Sequence, residues 1–238
     1  MNKLLYKAVV AHGGLTRLSA CRVIKATALL TGDFCPIGRL EEVRELTVFP
    51  HLQRAIVEPL GCPDCRSDLD HNDFSLVRDR DTLVTRIADV RSAQMTYDFK
   101  TPIGQPLGAF LTCSAVRTFL TTPLLLTLEG VEVSELVPWN EGGEQWRVLR
   151  AEFPPDLATI ARVQDFFFGG DFLLRRHDYH IDGDTGITMT EMISDYVECQ
   201  GIKMPTRLHG YARRSDLTPE RGRMMISINL KRLNFILE

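Results

Sequence analysis

The chain has 238 residues, 44% of them hydrophobic and 25% charged, with a formal net charge of −3. That balance suits a soluble domain with a sizeable core and excludes a broad nucleic-acid footprint, which needs clustered positive charge. No run approaches ~20 uninterrupted apolar residues, so no membrane span is expected. The first apolar run is broken by Lys7 and His12 and is no convincing signal peptide, so the six cysteines read as reduced thiols of a cytoplasmic protein.

Residues 2–18 have helical spacing, with Leu4, Leu5, Ala8, Val9 and His12 on one side, and Gly13-Gly14 end or break that helix. Residues 21–30, 41–48 and 54–60 read as strands. Residues 62–72 read as a polar, irregular stretch. A short hairpin is expected from 74–77 and 82–87 around the turn at 78–81. Residues 101–108 form a Pro/Gly-rich connection. The best interior helix covers 109–120, apolar at Phe110, Leu111, Cys113, Val116, Phe119 and Leu120, and Pro123 stops it. From Val131 the pattern becomes a meander. Strands are predicted at 131–139, 145–153, 163–168, 172–181, 189–199, 202–211 and 224–234, each bounded by Gly, Pro or Asp turns. Residues 182–186 imitate the start of a calcium loop but lack its closing glutamate, and read as a hairpin turn. Arg213, Arg214, Arg221 and Arg223 read as one solvated loop. Successive strands without intervening helices imply an antiparallel sheet, which must close or be covered. The expected fold is mainly β (α+β) and a single domain over 1–238. It is a curved antiparallel sheet or half-open β-barrel with helices covering or plugging its concave face.

The densest chemistry lies in residues 166–182, FFFGGDFLLRRHDYHID. Strand alternation places Leu173, Arg175, His177, Tyr179 and Ile181 on one face and Leu174, Arg176, Asp178 and His180 on the other. Such a strand suits the wall of an apolar cavity with polar anchors, or an edge strand with a solvated charged face. In the first reading His177 is the general acid/base, Tyr179 assists it, and Arg175 holds negative charge. Arg207, His209 and Tyr211 form a second alternating triplet. They either converge on the same cavity or make ordinary cross-strand pairs. Alternation also puts Glu135 and Trp139 on one face, where a carboxylate beside an aromatic wall can act as a base. Cys62-Pro63-Asp64-Cys65 is half a zinc site, with Cys35 and His71 as nearby candidates. A plain loop is preferred over zinc or a redox dithiol, and no metal site is assigned. The glycine motifs that cradle nucleotides, G-x-S-x-G and H-E-x-x-H are all missing, so no cofactor is expected.

Several segments recur together: Pro138-Trp139-Asn140-Glu141-Gly142-Gly143-Glu144-Gln145-Trp146, Phe153-Pro154, residues 175–179, Asp195-Tyr196, and Gly201-Ile202-Lys203-Met204-Pro205-Thr206-Arg207 followed by Tyr211. With residues 11–15, this order resembles a group of uncharacterised bacterial proteins over about half the chain. Where that group has T-H-S after the F-P strand end, this chain has Thr159-Ile160-Ala161. More remotely, the helix-then-strand opening and the G-x-x-x-P-T-R strand are similar to the half-barrel of the lipoprotein carriers. The violacein-pathway enzyme that rearranges an indole dimer without a cofactor shares that fold. The remote resemblance implies a fold and assigns no residue. The expected function is a cofactor-independent enzyme of the cyclase or isomerase type, acting by acid–base catalysis on a hydrophobic small molecule of specialised metabolism. His177, Tyr179 and Arg175 would be catalytic, and Trp139, Glu135, Arg207, His209 and Tyr211 would contact substrate. The alternative is a non-catalytic binding protein or carrier for a hydrophobic ligand. A homodimer is compatible with either reading.

Overall fold

In the computed structural model, which describes residues 1–35, 43–78, 82–88, 105–157, 159–181 and 188–238, the first apolar periodicity becomes two helices. These are α1 (Lys3–Ala11) and α2 (Leu15–Ser19). Asn2 caps α1, its side-chain oxygen accepting from the Leu4 and Leu5 amides. The break falls at Gly13-Gly14. Gly13 has φ +122°, and a Cβ there would lie 2.4 Å from the Gly201 carbonyl oxygen. Only glycine permits both the backbone angle and the approach.

The described residues then form thirteen strands. The first six are β1 (Cys21–Thr31), β2 (Val43–Phe49), β3 (Arg54–Glu58), β4 (Cys65–Asp70), β5 (Asp73–Arg78) and β6 (Thr82–Ile87). The other seven are β7 (Glu132–Glu141), β8 (Glu144–Glu152), β9 (Val163–Phe168), β10 (Leu174–His180), β11 (Thr188–Cys199), β12 (Ile202–Arg213) and β13 (Pro219–Leu237). They make one sheet in the order β6-β5-β4-β3-β2-β1-β13-β12-β11-β10-β9-β8-β7. Two antiparallel meanders are thus joined along β1 and β13, whose register runs from Cys21↔Leu237 to Thr31↔Ser227. The sheet is curved and unclosed, with β6 and β7 at its edges. The mainly β half-barrel expected from the sequence is the fold observed.

Between the two meanders the chain enters α3 (Gln105–Thr121), followed by a 3₁₀ turn at Leu124–Thr127. Residues 107–126 are buried without interruption. A helix buried on every side has no solvent face, so α3 is a core element and not a surface cover. It packs against β2, β3 and β4. Its leucine and phenylalanine side chains join those of α1 and of the sheet's inner face in one hydrophobic cluster. Each such side chain contributes roughly 1.5–3 kcal/mol on burial. Polar tethers set its position. The Arg117 guanidinium donates to the Gln53 carbonyl at 2.8 Å, and the Thr112 hydroxyl donates to the Phe34 carbonyl at 3.2 Å. Both tethers run to the first meander or the segments that flank its strands.

The elements themselves depart from the sequence reading in three places. Residues 65–70, expected to be irregular, form β4. Its composition, Cys-Arg-Ser-Asp-Leu-Asp, conceals a strand because Ser67 and Asp68 are buried, and a bidentate pair with Arg54 at 2.9 and 2.5 Å neutralises Asp68. The helix at 109–120 begins at Gln105. Arg221 and Arg223 belong to β13 and not to a loop; Arg223 pairs with Asp33, and Arg213, at the end of β12, pairs with Asp178. The turn residues 79–81, residues 101–104 of the Pro/Gly connection and the 182–186 turn lie outside the described residues. No helix among the described residues is long and apolar enough to cross a membrane.

Candidate functional site

The chain reaches β10 through the hairpin at Gly169-Gly170-Asp171, where the Gly169 amide donates to the Leu173 carbonyl at 3.0 Å. A β-bulge follows. Leu174 pairs with Phe168, but Arg176, two residues on, pairs with the adjacent Phe167. Arg175 is the extra residue. The expected grouping of Arg175 with His177 and Tyr179 is therefore corrected: Arg175 turns to Asp171, at 2.6 Å, and lies over the Tyr196 ring. Beyond the bulge the alternation resumes. His177 and Tyr179 join the inner, helix-bearing face, while Arg176 and Asp178 face outward with Phe167 and Asp165.

Four buried side chains close a network on the inner face. His177 Nδ1 lies 2.8 Å from Glu191 Oε2, and His177 Nε2 lies 2.7 Å from Gln164 Oε1. The Gln164 amide group is oriented by donating to the Ala161 carbonyl at 2.7 Å, so its oxygen points at the ring. Tyr179 donates to Glu191 Oε1 at 3.0 Å. The His177 ring stacks on Phe166, with centroids 4.5 Å apart. Oxygen atoms thus lie within hydrogen-bond distance of both ring nitrogens. Burial, then the adjacent Glu191 carboxylate, push Tyr179 well above the ordinary phenol range, so it acts as a neutral donor. With both imidazole nitrogens engaged, the geometry suits holding β9, β10 and β11 together.

Gln164 and Glu191 were not anticipated. A signal for both exists: stepping back by two from Phe166 reaches Gln164, and Glu191 is the lone acid between Met189 and Ile193 on one strand face. A polar residue in an apolar row demands a buried partner.

On the outer face Asp178 accepts from Arg176 Nε and Nη2, each at 2.7 Å, and from Arg213 Nη1 at 2.7 Å. Arg176, 1% exposed, also donates to the Leu217 carbonyl and lies between the Trp139 and Phe167 rings, about 5 Å from each. Register settles where the second triplet sits. Arg176 pairs with Met192, which pairs with His209, and Asp178 pairs with Thr190, which pairs with Tyr211. Arg207, His209 and Tyr211 therefore share the face of Arg176 and Asp178, opposite His177 and Tyr179. The two triplets do not converge. Arg207 pairs with Asp195 at 2.9 Å, both about half exposed. Partial burial, then the Arg207 guanidinium, lower the pKa of His209.

Glu135 and Trp139 also part company. A bulge between Leu136 and Trp139 leaves Glu135 opposite Leu149 on the inner face and Trp139 opposite Trp146 on the outer one. Glu135 is bound by Arg147 through two contacts of 2.7 Å. That guanidinium holds its carboxyl below the usual range, the reverse of what a neutral-pH base requires. Trp139 packs edge-on against Phe167 and donates to Glu141.

The expectation of six reduced thiols is corrected at one pair, since Cys62 and Cys65 are joined by a disulfide. Among the described residues no group of three or more His, Cys, Asp or Glu side chains is placed to hold a metal ion.

His12 lies 1% exposed at the end of α1, donating from Nδ1 to the Ala8 carbonyl at 2.7 Å with its ring edge on Tyr196. Burial pulls its pKa from 6.5 to about 4. The unfolded chain then binds a proton on His12 below pH 6.5 that the folded chain refuses until about pH 4. Stability should fall by up to about 3 kcal/mol as pH drops through this window. Denaturant titrations at pH 7, 5.5 and 4.5 check this, with a His12→Gln variant expected to lose that part of the slope.

No protein-family model and no curated protein matches the chain. Solved structures do. A LolA superfamily protein from Nitrosomonas europaea superposes with a TM-score of 0.54 at 10% identity, covering 98% of this chain and 92% of that one. A domain named for outer-membrane lipoprotein sorting, from Vibrio parahaemolyticus, gives 0.53 at 10% identity over 98% and 91%. A DUF1329 family protein from Desulfovibrio piger gives 0.51 at 13% identity over 98% and 91%. The fold is the LolA-like half-barrel. At such identities the likeness is one of fold, and the half-barrel's own residues must carry any functional argument.

Proposed function

We propose that this half-barrel is a binding protein for a hydrophobic ligand, taken up in the hollow of the sheet beside α3. The observation that carries the reading is the hollow itself. Its inner face carries one large apolar cluster beside the His177 network, the sheet is open between β6 and β7, and the space is filled by a helix that is buried all round. A plug with polar tethers to the first meander and apolar contacts within the cluster leaves apolar walls beside it for an acyl chain or a flat hydrophobic molecule. The half-barrel shape of the solved neighbours, one of them named for lipoprotein sorting, supports the same reading.

Catalysis is the second reading, kept because His177 and Tyr179 do face the inner side. One experiment addresses both. The purified chain is weighed by native mass spectrometry, then offered a fluorescent fatty acid, a phospholipid and an acylated peptide. One bound apolar molecule per chain, recovered unchanged, is the expected result. A recovered molecule with altered structure, whose formation stops in a folded His177→Gln variant, would replace the binding reading with the catalytic one. Failure to take up any of the three probes would overturn the hydrophobic hollow as a binding site.

A further inference from the structure

The loop between β3 and β4, residues 59–64, carries chemistry that the binding reading does not use. Cys62 and Cys65 are bonded to one another, but their surroundings differ. Cys65 is 1% exposed and its backbone is anchored: its carbonyl accepts from the Leu60 amide at 2.9 Å, and its amide donates to the Cys62 carbonyl at 3.1 Å. Cys62 is half-buried, and Arg78 reaches from β5 to place Nη2 3.8 Å from its sulfur. A disulfide with one reachable sulfur, a guanidinium at that sulfur and one shielded sulfur is an asymmetric arrangement suited to exchange.

The other four thiols are built differently. Burial raises Cys21 and Cys35 to about 11 and lifts Cys113 higher still, which keeps all three protonated and unreactive. Cys199 donates to the Leu233 carbonyl at 3.6 Å. Reactivity in this chain therefore concentrates at the β3–β4 loop.

We propose that Cys62–Cys65 is a reversible thiol–disulfide exchange site whose attacked sulfur is Cys62 Sγ and whose reductant is a dithiol. A thiolate of the dithiol attacks Cys62 Sγ, the bond to Cys65 breaks, and Cys65 leaves as a thiolate that takes up a proton. The second thiol of the reductant then attacks its own sulfur in the mixed disulfide and releases Cys62. The dithiol loses two electrons and becomes a disulfide, while the protein gains them as two sulfhydryls. If Cys62 stays a thiolate against Arg78, one proton goes to solvent. The reduced loop loses its covalent clasp. Because Gly61 sits against Leu76 and Ala109, the loosened segment lies directly on α3.

The test equilibrates the full chain with reduced and oxidised dithiothreitol at set ratios, alkylates it without denaturant, and maps the modified cysteines by mass. The expected result is a single two-electron transition in the folded protein. Cys62 and Cys65 should be labelled and the four buried or half-buried thiols spared, and a Cys65→Ser variant given oxidised glutathione, a monothiol disulfide with no second thiol to resolve it, should hold a mixed disulfide on Cys62. Arg78→Gln should slow exchange about tenfold, since it removes the cation that favours the thiolate. Three results would overturn the proposal. The pair fails to oxidise, it is reduced only when the chain unfolds, or it holds one zinc per chain against oxidised dithiothreitol. The ligand reading is unaffected by any of them.

Discussion

An Arg176→Met variant is expected to unfold with about 3–5 kcal/mol less free energy than the parent chain, the usual cost of stripping one partner from a buried ion pair. A surface pair would cost no more than about 1 kcal/mol. The difference rests on burial: the Arg176 and Asp178 side chains are each 1% exposed. Without the guanidinium, Asp178 keeps a single cation, Arg213, and the Leu217 carbonyl loses its donor. Trp139 and Phe167 also lose the cation between them. Equilibrium denaturation in urea measures the loss. A paired control gives the reason. Arg176→Met combined with Asp178→Leu removes both fully buried charges and should recover part of the stability, the remainder being the cost of leaving Arg213, 17% exposed, without its partner. A double variant as weak as the single one would mean that packing, not charge, sets the cost.

The second large effect is expected at Glu191. Glu191→Leu leaves the His177 Nδ1 and the Tyr179 hydroxyl without their acceptor, both inside the core. At about 1–3 kcal/mol for each buried donor left unsatisfied, the loss should be on the order of 3 kcal/mol. Glu191→Gln keeps an oxygen in place and should cost less than half as much. The same denaturation experiment separates the two variants. Equal losses would show that the carboxylate charge matters more than its role as an acceptor, and no loss in either would remove the network from the account of stability.

The two networks also show which parts of the molecule the sequence discloses. The seven-strand meander after Val131 was legible because its apolar residues alternate and its turns carry Gly, Asn and Asp. The interior helix was legible from its apolar length. The face assignments failed at two bulges, one at Arg175 and one between Leu136 and Trp139, since a single extra residue inverts everything before or after it. Composition does not announce a bulge. Strand β4 was missed for a different reason: its buried aspartate is made tolerable by Arg54, a partner on the preceding strand that no local window contains. Arg213 misled in the same way, reading as solvated beside Arg214 while pairing across the sheet with Asp178. Local periodicity gives elements; the charge partners that reach across the sheet appear only once register is known.

The seam of the sheet bears on how the molecule is made. β1 finds its second neighbour in β13, near the far end of the chain, while β2 to β6 follow it at once. During synthesis on the ribosome the first meander can assemble early, but β1 then offers a bare row of amides and carbonyls until β13 emerges. An open edge of that kind invites pairing with the wrong strand, including the same strand of a neighbouring nascent chain. Contacts so distant in sequence also slow the final closure. A heavy demand on chaperones at high expression, eased by lower temperature or slower translation, is the practical consequence for anyone producing this half-barrel.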